Sequence, residues 1–125
     1  MNAKDLLNNS TLVAFIPSEA LAIAVETGAT TDLGGVGRKI LIAVNAGVPA
    51  GGGLIDIVVH ESDDNFAADD DVLHTFDQID AESLVEADLA PNKRYIRVVA
   101  TVTGGVFTAG ITGVIYLERE IPSGI

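Results

Sequence analysis

Several stretches of this chain alternate apolar and polar residues with the period of two expected for a strand that buries one face. In residues 92–105, Ile96, Val98, Ala100 and Val102 fall on one side and Tyr95, Arg97 and Thr101 on the other. Gly104-Gly105 follows, two positions that tolerate positive φ, which predicts a tight hairpin turn into a last strand over residues 106–117. Gly110 and Gly113 interrupt that strand and predict a bulge or a close backbone contact. Upstream, Ile40, Ile42 and Val44 oppose Lys39, Leu41 and Ala43, and Ile55, Ile57 and Val59 oppose Asp56 and His60. Between these two runs lie Pro49 and four glycines, so residues 38–60 predict an antiparallel hairpin. Residues 20–25 alternate large and small apolar side chains and predict a strand burying Leu21, Ile23 and Val25, with a helix as the alternative. Residues 27–35 read as a loop and residues 72–76 as a short strand. Residues 80–90 admit either a helical turn capped by Asp80 and containing Leu84 and Val85, or an irregular connection closed by Pro91.

Short strands separated by turn signals predict an all-β fold, an antiparallel β-sandwich or barrel of the jelly-roll or Ig-like kind. The 125 residues suffice for one core. Residues 1–16, with Leu6, Leu7, Leu12, Val13, Phe15 and Ile16 and few charges, read as an N-terminal arm or edge strand, and residues 17–125 as a single sandwich domain. The arm would either complete a sheet edge or dock on a neighbouring subunit. With aromatics at 5% and no Trp, the core must be built from Val, Ile, Leu and Ala.

Charge narrows the function classes. A formal net charge of −11 opposes direct binding to nucleic acid or an anionic membrane, both of which depend on clustered Lys and Arg. No apolar run approaches the roughly 18 residues needed to cross a bilayer as a helix, and the N-terminus carries no secretory signal pattern. Cysteine is absent, which removes disulfides, thiolate metal sites and thiol nucleophiles. Twelve of the 18 carboxylates lie between residues 56 and 88, and residues 40–92 contain no Lys or Arg. The cationic strand that follows, with Arg94, Tyr95 and Arg97, would therefore pair with the acidic segment across the fold or face a neighbouring subunit.

Candidate chemistry is sparse. The acidic segment 61–71 offers clustered oxygens of the kind calcium needs, but it lacks the central Gly and terminal Glu of the helix-loop-helix site, so a solvated loop is expected. His60 and His74 do not have zinc-motif spacing and read as ordinary strand residues. Residues 34–38, Gly-Gly-Val-Gly-Arg, precede a strand instead of opening a helix, so a turn is expected and not a phosphate cradle. Asn8 and Asn9 begin overlapping glycosylation sequons that matter only in a eukaryotic secretory route. No catalytic constellation, metal site or cofactor site is predicted.

The order of these features resembles a family of small structural proteins encoded among the head genes of tailed bacteriophages. The residues that carry the resemblance are the Gly/Thr/Asp loop 27–35, the Ile/Val strand 39–46, Glu61-Ser62-Asp63-Asp64, Arg94-Tyr95, Arg97-Val98, and the run into Thr103-Gly104. It covers residues 26–117; the acidic close at 117–122 departs from the pattern, and the N-terminal arm has no counterpart in it. The resemblance implies a non-enzymatic virion component on the capsid exterior, made in the host cytoplasm. It would be a decoration or cement protein whose partners are the major capsid protein and its own copies, as a homo-dimer or homo-trimer. The interface residues would be Leu6, Leu7, Leu12, Phe15, Arg94, Tyr95 and Arg97. A head–tail connector or tail component is the alternative within that class. A secreted calcium- or ligand-binding sandwich is the alternative outside it.

Overall fold

The computed structural model describes residues 10–21, 24–34 and 38–117, which form strands and turns and, among them, no helix. The strands are β1 (Ser10–Leu21), β2 (Val25–Thr27), β3 (Thr31–Asp32), β4 (Arg38–Ala46), β5 (Leu54–Ser62), β6 (Asp71–Thr75), β7 (Ser83–Leu89), β8 (Tyr95–Thr103) and β9 (Phe107–Leu117). One antiparallel sheet has the order β1-β9-β4-β7 and the other the order β2-β8-β5-β6, with β3 also on β8. Thr27 pairs with Val99 and Thr31 with Ile96, so β2 and β3 are one strand interrupted at residues 28–30. Taken that way, eight strands form two four-stranded sheets in which consecutive strands, such as β4 and β5 or β8 and β9, hold matching places in opposite sheets. This is the double Greek-key order of a jelly roll. The antiparallel pairing of first and last strands in one sheet, Leu12 with Val114 for example, sets it apart from the immunoglobulin order.

Strand alternation delivers the core as the sequence pattern predicts. Ile40, Ile42 and Val44 from one sheet meet Ile55, Ile57, Val59, Ile96 and Val98 from the other, all 0% exposed. Burial of each such side chain contributes about 1.5–3 kcal/mol. The connectivity differs from expectation in two places. Residues 38–60 are not a hairpin, because β4 pairs with β7 and β9 while β5 pairs with β6 and β8. Gly104-Gly105 likewise carries the chain from one sheet to the other instead of closing a hairpin between β8 and β9. Of the two, only Gly104 has positive φ (78°), and a Cβ on Gly105 would collide with the Ala50 carbonyl oxygen. The two crossing loops thus pack on one another, with the Ala50 amide donating to the Val106 carbonyl at 3.0 Å.

Two further expectations are corrected. Residues 83–89 are strand β7, with Val85, Ala87 and Leu89 turned toward the core and Leu84, Glu86 and Asp88 outward. Val25 is 62% exposed, because the chain leaves the first sheet at Leu21 and joins the second at Val25, reversing the face it presents. Ile23 lies outside the described residues. At the other edge, β1 runs continuously through residues 10–21 with two register shifts against β9. The first inserts Phe15 as an extra residue, so that Phe15 and Ile16 both point inward, 2% and 4% exposed. Gly113 makes room for the Phe15 ring, since a Cβ there would lie 2.6 Å from Phe15 Cε2.

Candidate functional site

The acidic loop between β5 and β6 is a hydrogen-bonded cage organised by its own carboxylates. Both oxygens of Asp64 are taken: Oδ1 accepts the Ser62 hydroxyl at 2.9 Å and the amides of Ala67 and Asp69, and Oδ2 the amides of Ala68 and Asp69. Ser62 Oγ in turn accepts the amides of Asp64 and Phe66. The turn needed to aim these amides at one carboxylate places Asn65 and Phe66 at φ of 58° and 60°, a region most residues avoid. Glu61, 6% exposed, accepts the Asn92 amide at 2.9 Å and so ties the loop's base to the start of the cationic strand.

Cations from β8 and the segment before it close the cage. Lys93 Nζ donates to both oxygens of Asp69 at 2.7 and 2.8 Å and also to Asp71. Arg97 donates from Nη2 to Asp70 Oδ2 at 2.8 Å while its guanidinium lies 4.1 Å from the centre of the Phe66 ring. The other Asp70 oxygen meets His60 Nδ1 at 2.7 Å. Arg94 turns away and grips Asp32 through two parallel bonds of 2.8 Å, with Tyr95 packed 5.3 Å from its guanidinium. These contacts set the titration of the acids. The Arg94 guanidinium, then the Gly34 amide, holds the Asp32 carboxyl at about 2. The Ser62 hydroxyl, then the amides of residues 67–69, holds the Asp64 carboxyl below its ordinary value, and Lys93 does the same for Asp69. Lys93 is correspondingly raised by Asp69 and Asp71.

Chemically this is a loop held by its own hydrogen bonds, with Lys93 and Arg97 offsetting part of its negative charge. A calcium ion would need the oxygens that already receive amide and ammonium protons. Among the described residues no group of His, Asp or Glu is arranged to hold a metal. Both histidines are strand residues, as expected: His60 of β5 meets Asp70 of the loop, and His74 of β6 packs edge-on against Phe76 with ring centres 4.7 Å apart. At residues 32–34, the Asp32 carboxylate accepts the Gly34 amide at 2.7 Å in a side-chain-capped turn, and residues 35–37 lie outside the described part.

The structure separates the interface residues expected from the sequence. Arg97 is committed to the chain's own acidic loop, and Arg94 to Asp32, on the half-exposed surface of β8 and β3. Phe15 is core and offers no surface, because the bulge in β1 turns it inward. Leu12 is 77% exposed on the outer face of β1. Leu6 and Leu7, and the sequons at Asn8 and Asn9, lie outside the described residues. Lys93, which pairs with Asp69 and Asp71, was missed as an individual, although it stands within the cationic stretch that the sequence marks. Nor did the sequence point to the pair of hollows beside β7, of about 290 and 190 Å³, which share Asp77 and Val85.

No protein-family model matches the chain, and no curated protein matches it in sequence. Its fold is nonetheless shared. PBSX exported protein XepA matches all of the chain with a TM-score of 0.70 at 15% identity, and the chain spans 42% of that protein's length. The SPBc2 prophage-derived protein YomS matches 86% of the chain and 92% of its own length, with a TM-score of 0.56 at 15% identity. A chain of the T13 viral particle of infectious bursal disease virus matches 86% of the chain and 31% of its own length, with a TM-score of 0.59 at 7% identity. The structural neighbours thus include phage-derived and virus-particle proteins, and at these identities the likeness is one of fold.

Proposed function

We propose that this protein is a non-enzymatic virion structural protein, a decoration or cement protein that binds the outer surface of a phage capsid and stabilises the head. The observation that carries the reading is the jelly roll itself, whose neighbours include a prophage-derived protein and a virus-particle protein. The acidic loop is consistent with it, since its carboxylates are engaged by the chain's own amides, Lys93 and Arg97. A subunit of net charge −11 is repelled by packaged DNA, which favours the exterior. The partners in this reading are the major capsid protein and sister subunits in a dimer or trimer, with Leu6, Leu7 and the exposed Leu12 as contacts.

The test is to add purified protein to emptied phage heads and count copies by electron microscopy. About one copy per major capsid subunit, or one symmetric cluster per capsomer, is expected. A handful per particle would move the assignment to a connector or tail component, and no binding would overturn it. Removal of residues 2–9, which leaves β1 whole, tests the arm: unchanged capsid binding and oligomer mass would take Leu6 and Leu7 out of the mechanism. A second reading, a module of an exported protein, draws on the match of the whole chain to 42% of the exported protein XepA. Recovery of the protein from culture medium free of particles would favour it.

A further inference from the structure

Four sheet edges are present among the described strands, and three of them are spoiled for pairing. β1 carries two bulges and Pro17, the β2–β3 edge is broken at residues 28–30, and β6 has a bulge at Leu73. β7 differs. It pairs with β4 in unbroken register from Ser83 to Leu89, contains no Pro or Gly, and has no strand of the described residues on its other side. Long regular edges are ordinarily blunted, because their free N–H and C=O groups template the pairing of another strand.

Beside this edge the β6–β7 connection folds back along β5. The Phe76 amide donates to the Ile57 carbonyl, and Ile55 and Ile79 exchange bonds of 3.0 Å. A groove is left between that connection and β7, made of the two hollows that meet at Asp77 and Val85. Its floor is apolar, with Phe76, Ile79 and the half-buried Val85. Its rim is anionic: Asp77, Asp80 and Glu86 line it, with no Lys or Arg, and no ion pair engages these three acids among the described residues.

We propose that the β7 edge and its groove take an extended cationic segment of another polypeptide as an added strand. Alternate apolar side chains of that segment would enter the groove over Val85, and the Lys or Arg between them would face Glu86, Asp77 and Asp80. A second copy of this chain fits poorly. Antiparallel pairing of β7 with itself would set Glu86 and Asp88 against one another, within subunits that each carry −11. The inference stands on the sandwich edge alone and is independent of a virion role.

The probe is a fluorescent seven-residue peptide alternating Lys and Val, compared with its Glu/Val counterpart and with a version carrying a central Pro. Binding to the full chain is read by anisotropy, and the contact by amide exchange. Binding of the Lys/Val peptide alone, with new amide protection confined to residues 83–89, is expected. Glu86→Lys, on the solvent face of an exposed edge, should weaken it by roughly tenfold, the sum of a cross-strand attraction lost and a repulsion gained. No binding, equal binding of the Glu/Val peptide, protection at another edge, or an unchanged affinity in E86K would overturn the proposal. So would self-association of the free chain through residues 83–89.

Discussion

Substituting Gly113 by Ala tests whether residues 10–16 are built into the core or merely lie against it. Gly113 is buried in β9, opposite Val13 of β1 and Ile42 of β4. An added Cβ would sit 2.6 Å from Phe15 Cε2 and 3.2 Å from Ile40 Cδ1, so the Phe15 ring, itself 2% exposed, has to shift within a closed core. Overpacking of this kind costs about 1–3 kcal/mol. Loss of glycine's freedom in the unfolded chain returns about 0.4–1 kcal/mol, leaving a net destabilisation of up to roughly 2.6 kcal/mol, read as a lowered urea midpoint by circular dichroism. The pairing with Phe15→Leu makes the experiment specific. The single truncation costs on the order of 1–2 kcal/mol for the lost ring volume, yet the double variant has room for the new methyl. It should therefore be more stable than the sum of the singles predicts by about 1 kcal/mol. A stabilising G113A, or a double variant additive within about 0.3 kcal/mol, would refute the placement of Phe15 and with it the integration of β1.

Other outcomes follow from the acidic loop and its cations. Arg97→Met removes the Asp70 pair and the contact with the Phe66 ring, while sparing the cost of burying an Nε that has no partner. A loss of about 1 kcal/mol is expected, with faster amide exchange at residues 66–69; unchanged exchange there would count against the staple. Asp64→Asn leaves one acceptor oxygen where two carboxylate oxygens now gather the amides of Ala67, Ala68 and Asp69. Those amides should lose protection while the β4 and β8 amides keep theirs, as hydrogen exchange followed by NMR would report. Asp32 should titrate at about 2 by carboxyl chemical shift, and Arg94→Met should bring that midpoint up toward 3.8. Because the folded-state value is depressed, the stabilisation from this pair is present above the ordinary carboxylate range and lost as pH falls through about 2. R94M should therefore be the less stable protein near neutrality and equal to the parent in strong acid. Equal stabilities at both ends would remove the pair from the fold's energetics.

The sequence alone determined which side chains are core in the central strands. Ile40, Ile42 and Val44, Ile55, Ile57 and Val59, and Ile96, Val98, Ala100 and Val102 occupy every second position, and a period of two places each set on one face of its strand. It also marked the cationic stretch and the acidic segment as counterparts by charge, and Gly110 and Gly113 as a bulge or close backbone contact, of which Gly110 lies against the Ser18 backbone and Gly113 against the Phe15 ring. It could not determine which strands pair. Alternation records that a face is buried but not in which sheet, so two neighbouring strands joined by a turn look like a hairpin even where the connection crosses the roughly 10 Å between layers. That is why residues 38–60 and 95–117 read as hairpins and are instead crossings.

Edge positions were the least legible. β7 carries only Val85, Ala87 and Leu89 on its inner face, with Leu84 outward, a pattern a helical turn could also produce. Phe15 and Ile16 sit side by side in the core only because a bulge inserts a residue, which no periodicity encodes. The partner of each cation was likewise fixed by the fold: Arg94 finds Asp32, 62 residues away, and Arg97 finds Asp70 because β8 lies beside β5 and the loop that β5 begins. Local chemistry chose the strands and their inward faces. The assembly of two sheets chose their neighbours, because burial of a face is a local requirement while the pairing of an edge depends on what the rest of the chain has left open.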